Sequence, residues 1–505
     1  LTAPDQAAAP IASETPPHPA ATPAMGLVGV IDIGSNSIRL VVFEDGVRSP
    51  DYFFNEKVIC GLGRGLSETG RLNADGRAAA RAALRRYVSL SRRIGVSELI
   101  VFATAALREA EDGPEYRDAL SRELDISIRV VTGPEEAKLA AEGVLFGWPA
   151  AEGVVADLGG ASLELAEVAV GAVGATVSVP AGHLLFGEGD GPLSQRAMRA
   201  LSAAAAPFAP KASRLILVGG AWRALAKAGM SRAGYPFHVL QGFEMTPKEA
   251  HGLCDWALSE PPAAIKKAAE VSNSRIPSMV GGARALKRLM AELTPGSVDI
   301  SAFGVREGMI YERMAASMRA EEPLIAAATA MEARHARCPG FGAELFTWMR
   351  PLLNGFNADR MRLAEAVCLL HDVNWRAHPD FRVTACFGTV SRGNLAGVGH
   401  RGRLFLGAAL MHRYKGDLQA AEAASVALMD ADARREAEIV GRAARLGAMV
   451  SGSAIGTLGD CPLRVGDGRL TLSFAPAVAD LAGERVKRRL GALAGALRLE
   501  PVFIA

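Results

Sequence analysis

The sequence predicts an α/β protein built from two similar halves, followed by a mainly helical region and a small terminal α+β element. Three observations carry this reading. A strand–turn–strand phrase at Val30 to Glu44, VIDIGSNSIRLVVFE, returns at Val154 to Val168 as VVADLGGASLELAEV. Short apolar runs alternate with helix-length stretches around both copies, the texture of βα units. From Pro323 onward long Ala/Leu/Arg helices take over, and strand texture resumes only after Ser451. With 505 residues the chain exceeds what one core holds. The expected divisions are a disordered leader over 1–24, α/β units over 25–150 and 151–315, a helical unit over 316–450 and a small α+β unit over 451–505.

Composition narrows the classes. A formal net charge of +2 gives no chain-wide basic field, so nucleic acid is not an expected partner. No run approaches the roughly 18 apolar residues of a membrane span, so no membrane partner is expected either. Six cysteines, at 60, 254, 338, 368, 386 and 461, lack C-x-x-C spacing. They read as buried thiols of a reducing compartment, not as a disulfide framework or a zinc site. The leader is Ala/Pro/Thr-rich with no basic start and no apolar core, unlike a secretory signal. A cytoplasmic location is the expectation.

In the first half, Val30 and Ile31 lead into Asp32, the turn Gly34-Ser35-Asn36-Ser37 follows, and Ile38 to Phe43 are apolar again. An Asp ending a buried strand is costly unless a metal or ordered water offsets it. Exposed N–H groups of a Gly/Ser turn can wrap an anion. A third strand over 52–60 precedes a glycine-rich loop over 61–72, which is either a ligand-side loop or an exposed connector. A helix is expected over 78–94 and a strand over 98–104, with Arg108 just past the strand end, where α/β domains place ligand-facing groups. A strand at 127–132 then runs into Pro134, Glu135 and Glu136 at a helix start. Capping and the helix dipole explain those two glutamates already. Either becomes a candidate base only if that helix start faces the Asp-bearing turns.

In the second half, Asp157 overlays Asp32, Gly159 overlays Gly34 and Ser162 overlays Ser37. Residues 175–187 continue the sheet, and 214–229 read as strand, Gly219-Gly220 turn and helix. Helical sequence follows over 246–270 and 276–290, and 297–314 is strand, turn and helix. Two such halves facing across a cleft match a duplicated actin-like (ribonuclease-H-like) ATPase fold. Its two Asp turns would line the cleft floor and hold Mg²⁺ while glycines cradle phosphate oxygens. Helices are then expected over 324–337, 341–350, 358–373, 403–415 and 418–448, a hairpin over 458–476, a helix over 477–491 and a closing strand.

These phrases together resemble the exopolyphosphatase / guanosine pentaphosphatase (Ppx/GppA) family. VIDIGSNSIRLVVFE is similar to its first phosphate motif, ATAALREA (103–110) to the next, and VTGPEEAKLAAEGV (131–144) to the segment bearing its catalytic glutamate. VVADLGGASLELAEV resembles the second phosphate motif, LILVGGAWRALA the glycine turn, and FGVREGMIYERM (303–314) the closing signature. The resemblance implies an exopolyphosphatase releasing orthophosphate from inorganic polyphosphate, with guanosine pentaphosphate as the alternative substrate. It implies Glu136 as general base and Arg108 as a phosphate clamp. Asp157 and Glu164 would orient water or bind magnesium, with Asp32 as a further metal ligand. Gly34, Ser35, Asn36, Ser37, Gly159, Gly160, Ser162, Gly219, Gly220 and Arg275 would surround the substrate.

The length resembles that of the long members, which carry a helical HD-like domain and suggest a homodimer. Here adjacent His371-Asp372 resembles a metal phosphohydrolase pair, although His335, His378, His400 and His412 show no spacing that completes a site. Two departures stand out in the second motif: Ala161 replaces a glycine and Leu163 a threonine. After the glycine turn, Trp222 and Arg223 are expected to narrow or recharge the pocket. Rival classes are a sugar or acetate kinase, which needs an adenosine pocket, and a nonenzymatic polyphosphate or nucleotide sensor.

Overall fold

A computed structural model describes residues 26–186, 191–269, 275–414 and 419–504. The expected leader over 1–24 lies outside them, as do positions 187, 270, 415 and 418 at the ends of expected elements.

The first sheet starts with an antiparallel meander, β1 (Leu27–Ile33), β2 (Ser37–Glu44) and β3 (Tyr52–Ile59). Parallel strands β4 (Glu98–Ala103) and β5 (Ile128–Val130) complete the order β3-β2-β1-β4-β5. The second sheet repeats the plan with β6 (Gly153–Leu158), β7 (Leu163–Ala169) and β8 (Ala172–Val179) as its meander. Strands β9 (Arg214–Val218), β10 (Glu244–Met245) and β11 (Ser297–Ile300) extend it to β10-β11-β9-β6-β7-β8. The sequence repeat is therefore a topological one. In both sheets the Asp-bearing strand pairs antiparallel with the next strand and parallel with a later one.

The halves are joined by the helices Gly133–Gly147 and Val305–Arg313, which cross at glycines. A Cβ at Gly308 would overlap the Leu139 carbonyl, and one at Gly143 the Gly304 carbonyl. Backbones can approach this closely only without side chains at those points. Val30, Phe102, Phe146, Val155, Val218 and Phe303 fill the seam in one apolar cluster. That packing holds the helix carrying Glu136 against both sheets.

Beyond residue 315 the chain is mainly helical, ending in a three-stranded sheet: β12 (Leu463–Gly466), β13 (Arg469–Ser473) and β14 (Glu500–Ile504). Helices and sheet share one core, in which Leu345, Leu404 and Val440 join Leu470 and Leu490. The Trp348 indole donates to the Cys461 carbonyl at 2.6 Å across it. The apolar faces of the helices His400–Tyr414 and Ala431–Ser451 are spent within this core. This region docks on the end of the helix Gly133–Gly147 through Gly397 N to Gly147 O at 2.7 Å, and on the second half through His400. The His400 ring bonds the Tyr235 hydroxyl and the Val239 carbonyl, each at 2.8 Å.

Several boundaries differ from the sequence expectation for local reasons. The helix expected over 78–94 starts at Ala74, because Asn73 caps it by accepting from Gly76 N at 2.9 Å. The stretch 246–270 is two helices, Pro247–Ser259 and Pro262–Ala269, broken at Pro261-Pro262. Likewise 418–448 divides into Ala420–Val426 and Ala431–Ser451, where Asp430 starts a new helix by accepting from Ala433 N at 2.7 Å. A helix at Arg382–Arg392 was not expected. All six cysteines are free; Cys60 and Cys338 are partly exposed rather than buried. Among the described residues no helix is long and apolar enough to cross a membrane.

Candidate active site

The two sheets place equivalent turns face to face. In the first, Gly34 N donates to Ser37 O at 3.1 Å; in the second, Gly159 N donates to Ser162 O at 3.0 Å. Asp32 and Asp157 end β1 and β6 just before these turns. The glycine-rich loop braces the first turn through its backbone: Cys60 and Gly61 N–H groups reach Asn36 O, and Gly63 N reaches Ser35 O at 2.7 Å. It carries a helical turn at Leu66–Thr69 and packs behind the first turn, outside the cleft lining. Gly219 follows β9 at φ 113°, a left-side conformation that favours glycine, and a Cβ there would lie 2.7 Å from the Leu158 carbonyl.

Between the turns lies a cleft of about 330 Å³. It gathers Asp32, Glu136 and Asp157, the whole first turn from Gly34 to Ser37, Gly159, Gly160 and Ser162 of the second, Gly219, Gly220 and Arg275. Of the residues expected at the site, Arg108 and Glu164 alone do not line it.

The helix start at Gly133 separates the two glutamates that sequence left equivalent. Glu135 closes a capping box: its Oε2 accepts from Thr132 N at 2.7 Å and from Thr132 Oγ1 at 2.8 Å. Glu136 instead faces the cleft, buried, with Oε2 held by Arg108 Nη1 at 3.0 Å. Burial pushes its carboxyl up to about 7; Arg108 pulls the other way, and Asp157 and Asp32 add to the rise. Burial likewise raises Asp157 to about 6, opposed by the Arg223 guanidinium. It also raises Asp32, opposed by Arg306, whose Nη1 lies 3.3 Å from Asp32 Oδ2.

Arg108, expected as a phosphate clamp, stands outside the cleft lining in this structure. Its Nη1 is shared between Glu136 and the Val131 carbonyl, both at 3.0 Å, behind the carboxylate. Glu164, expected to orient water or bind magnesium, also stands outside the cleft lining. It is buried and accepts from Ser178 Oγ at 2.8 Å. Burial, then Glu136 and Asp157, push its carboxyl well above the ordinary range. Asp32, Asp157 and Glu164 therefore do not form a three-carboxylate metal site. Among the described residues no group of three or more His, Cys, Asp and Glu side chains converges as metal ligands would. The donor set at the cleft is two facing carboxylates, Asp32 and Asp157, beside phosphate-sized space. That suits magnesium, which is commonly held by one or two carboxylates together with substrate phosphates and water.

Sequence reasoning missed much of the positive charge. Arg39, Lys57 and Arg306 line the cleft with Arg223 and Arg275, five cations against three carboxylates. Arg39 is fixed by Nε to Asn55 Oδ1 at 2.8 Å, and Arg223 by Nε to Gly219 O at 3.2 Å and Nη1 to Ala302 O at 3.1 Å. Desolvation and crowding by Arg306 and Arg223 lower Arg39 to about 10. Desolvation and the arginines around Lys57, Arg275 first, bring it to about 8. Such mutual repulsion is relieved by a polyanion. Strand register held the available signal: Asp32 pairs with Arg39 and Arg39 with Lys57, so the three side chains share one face of the sheet. Trp222, expected to narrow the pocket, is buried in the second-half core with its indole on the Gly282 carbonyl at 2.8 Å; Arg223 does recharge it. Leu163 is likewise a core residue, and Ala161 lines the cleft.

The His371-Asp372 pair is sealed. Arg337 takes both Asp372 oxygens, Nε to Oδ2 at 2.7 Å and Nη2 to Oδ1 at 2.8 Å. His371 Nδ1 bonds the Cys368 carbonyl at 2.8 Å, and burial lowers the ring to about 4. His400 and His412 sit elsewhere, in the junction and against Gly441.

A duplicated α/β fold with paired Asp turns and a cation-lined cleft defines a phosphate-handling protein of actin-like architecture. Residues 40–317 match the model of the Ppx/GppA phosphatase family, and residues 324–500 match that described as exopolyphosphatase, C-terminal. The chain belongs to the Ppx/GppA phosphatase family, a family of hydrolases. It is similar to Exopolyphosphatase 1 of Mycobacterium leprae (strain TN), 24% identical over 321 residues, covering 57% of this chain and 89% of the relative. Exopolyphosphatase 1 of Mycobacterium tuberculosis (strain ATCC 25618 / H37Rv) is 28% identical over 142 residues, 27% of this chain and 41% of the relative. In fold it resembles the Aquifex aeolicus PPX-GPPA enzyme, with TM-score 0.50, 24% identity, and coverage of 57% of this chain and 100% of that one. An exopolyphosphatase from Cytophaga hutchinsonii ATCC 33406 gives TM-score 0.50 and 18% identity over 56% of this chain and 96% of its own.

Proposed function

We propose that the cleft hydrolyses the terminal phosphoanhydride of inorganic polyphosphate, releasing orthophosphate, with Glu136 activating the attacking water. One observation carries this reading: a buried carboxylate with a pKa near 7, gripped by an arginine, opens onto a phosphate-sized cleft lined by five cations. A base with that pKa is half ionised at neutral pH, where proton abstraction is most effective. The terminal phosphoryl oxygens lie among the turn N–H groups and the guanidinium groups of Arg39, Arg223, Arg275 and Arg306. Glu136 takes the proton from water, the oxygen bonds phosphorus, and the shortened chain leaves as a phosphate anion. Asp32 and Asp157 are the residues to hold magnesium, which when bound neutralises phosphate charge as a Lewis acid. Glu164, bonded to Ser178, backs the start of the helix that presents Glu136.

The test compares orthophosphate release from long-chain polyphosphate and from guanosine pentaphosphate, wild type against Glu136→Gln. We expect faster turnover on polyphosphate, and a loss of about 100- to 10,000-fold in kcat for the variant with substrate binding retained. Faster guanosine pentaphosphate turnover would move the substrate assignment. A fully active variant would remove Glu136 from the chemistry.

A further inference from the structure

A second cavity, of about 650 Å³, opens beside the phosphate cleft. The two share Ser35, Asn36, His183 and Ser278, which form a neck between them. Charge changes abruptly there. The cleft carries five cations, whereas beyond the neck the charged side chains among the described residues are Arg64 and Glu68, beside the glycine loop, Leu184, Leu193 and Pro277. Anything crossing the neck exchanges ionic capture for hydrogen bonding.

His183 is the residue built for that exchange. It is buried, and its Nδ1 has no hydrogen-bond partner among the described residues. Such a nitrogen needs a partner, and the ring lines both cavities, where a ligand or water can supply one. The backbone is pinned on both sides: His183 N donates to Gly159 O at 3.1 Å, and a Cβ at Gly281 would overlap the His183 carbonyl. The imidazole is thus fixed to the second phosphate turn and faces the first. Burial, then the Lys57 charge, lower it to about 4, so it stays neutral at physiological pH.

We propose that His183 is a specificity-determining residue of this cleft: at the neck with Ser35, Asn36 and Ser278, it hydrogen-bonds the phosphoryl group next to the one cleaved. This rests on the phosphoanhydride reading given above and deepens it. The experiment measures tripolyphosphate KM and kcat, and the inhibition constant of orthophosphate, which fills the terminal position alone, for wild type, His183→Ala and His183→Gln. For His183→Ala we expect KM for tripolyphosphate to rise about 10- to 100-fold, the loss of a hydrogen bond to a charged group. Orthophosphate inhibition stays within about twofold, and His183→Gln restores most of the affinity. The ratio of variant to wild-type KM is flat from about pH 6 to about pH 9, because a ring lowered to about 4 does not titrate there. An unchanged KM, an equal weakening of orthophosphate, or a Gln variant no better than Ala overturns the proposal. Wild-type protein inactive on every phosphoanhydride would instead sink the functional reading. Calorimetric binding of tripolyphosphate to wild type and His183→Ala then still decides the role of the neck.

Discussion

Arg108 offers a sharp test, because geometry and family resemblance assign it different work. A phosphate clamp touches substrate; here the guanidinium lies behind Glu136 and outside the cleft lining. Its bond to Glu136 Oε2 at 3.0 Å favours the ionised base. A hydrogen bond to a charged group contributes roughly 1.5–3 kcal/mol, or about 1–2 units of pKa. Replacing Arg108 with Met therefore moves Glu136 from about 7 to roughly 8–9. At neutral pH the ionised fraction falls from about half to between about 10% and 1%, a rate loss of about 5- to 50-fold. The assay is kcat and KM on polyphosphate across pH. The expected result is a kcat limb displaced upward by about 1–2 pH units, activity recovered in alkali, and KM little changed. A rise in KM with the limb unmoved would restore the clamp and refute the positioning argument.

Lys57→Met should remove a second ionisation. Its ammonium, lowered to about 8, loses charge as pH rises through that value, so wild-type kcat/KM falls on the alkaline side and the variant's does not. A retained alkaline limb would assign it to another group. Gly308→Ala forces a methyl onto the Leu139 carbonyl and pushes apart the crossing helices, at a cost of about 1–3 kcal/mol in denaturant unfolding. Activity should fall with it, since one of those helices carries Glu136; unchanged stability would mean the crossing yields freely. Arg337→Leu strands the buried Asp372 carboxylate, for a loss of roughly 1–3 kcal/mol with turnover unaffected. Burial raises Asp372, but the Arg337 hydrogen bond and the nearby charges hold it below its ordinary value. The wild-type stabilisation is thus present above the unfolded-state pKa of about 4 and is lost as pH falls below it, while the variant lacks that dependence.

The duplicated fold was legible because its determinants are local. Apolar runs ending in Asp, followed by Gly/Ser turns, specify buried hairpins wherever they occur, and two copies imply two sheets. Helix ends were less legible where one short side chain decides them. Asn73 and Asp430 start helices by single hydrogen bonds that composition does not reveal. The helix at Arg382–Arg392 escaped for another reason: its apolar face, with Cys386, Phe387 and Val390, is short and interrupted by polar residues, and the shared core stabilises it.

At the site, sequence alone pointed to the turns but could not sort the charges around them. The reason lies in the two ladders that the duplication creates. Across the first sheet, Phe102, Asp32, Arg39 and Lys57 stand in register; across the second, Val218, Asp157, Glu164 and Ser178 do. Equivalent rungs have acquired opposite chemistry. Where the first ladder offers two cations to the cleft, the second holds a buried carboxyl bonded to a serine behind it. An overlay of the repeats matches Asp32 with Asp157, Gly34 with Gly159 and Ser37 with Ser162, but the motif's spelling carries no information about what opposes each rung. Register supplies it. Read across the strands, the first sheet adds Arg39 and Lys57 to the cleft, beside Arg223, Arg275 and Arg306 from the second half. The repeat is symmetric in backbone and asymmetric in charge: the first copy sets two cations on the face of its Asp rung, and the second sets a glutamate and a serine there.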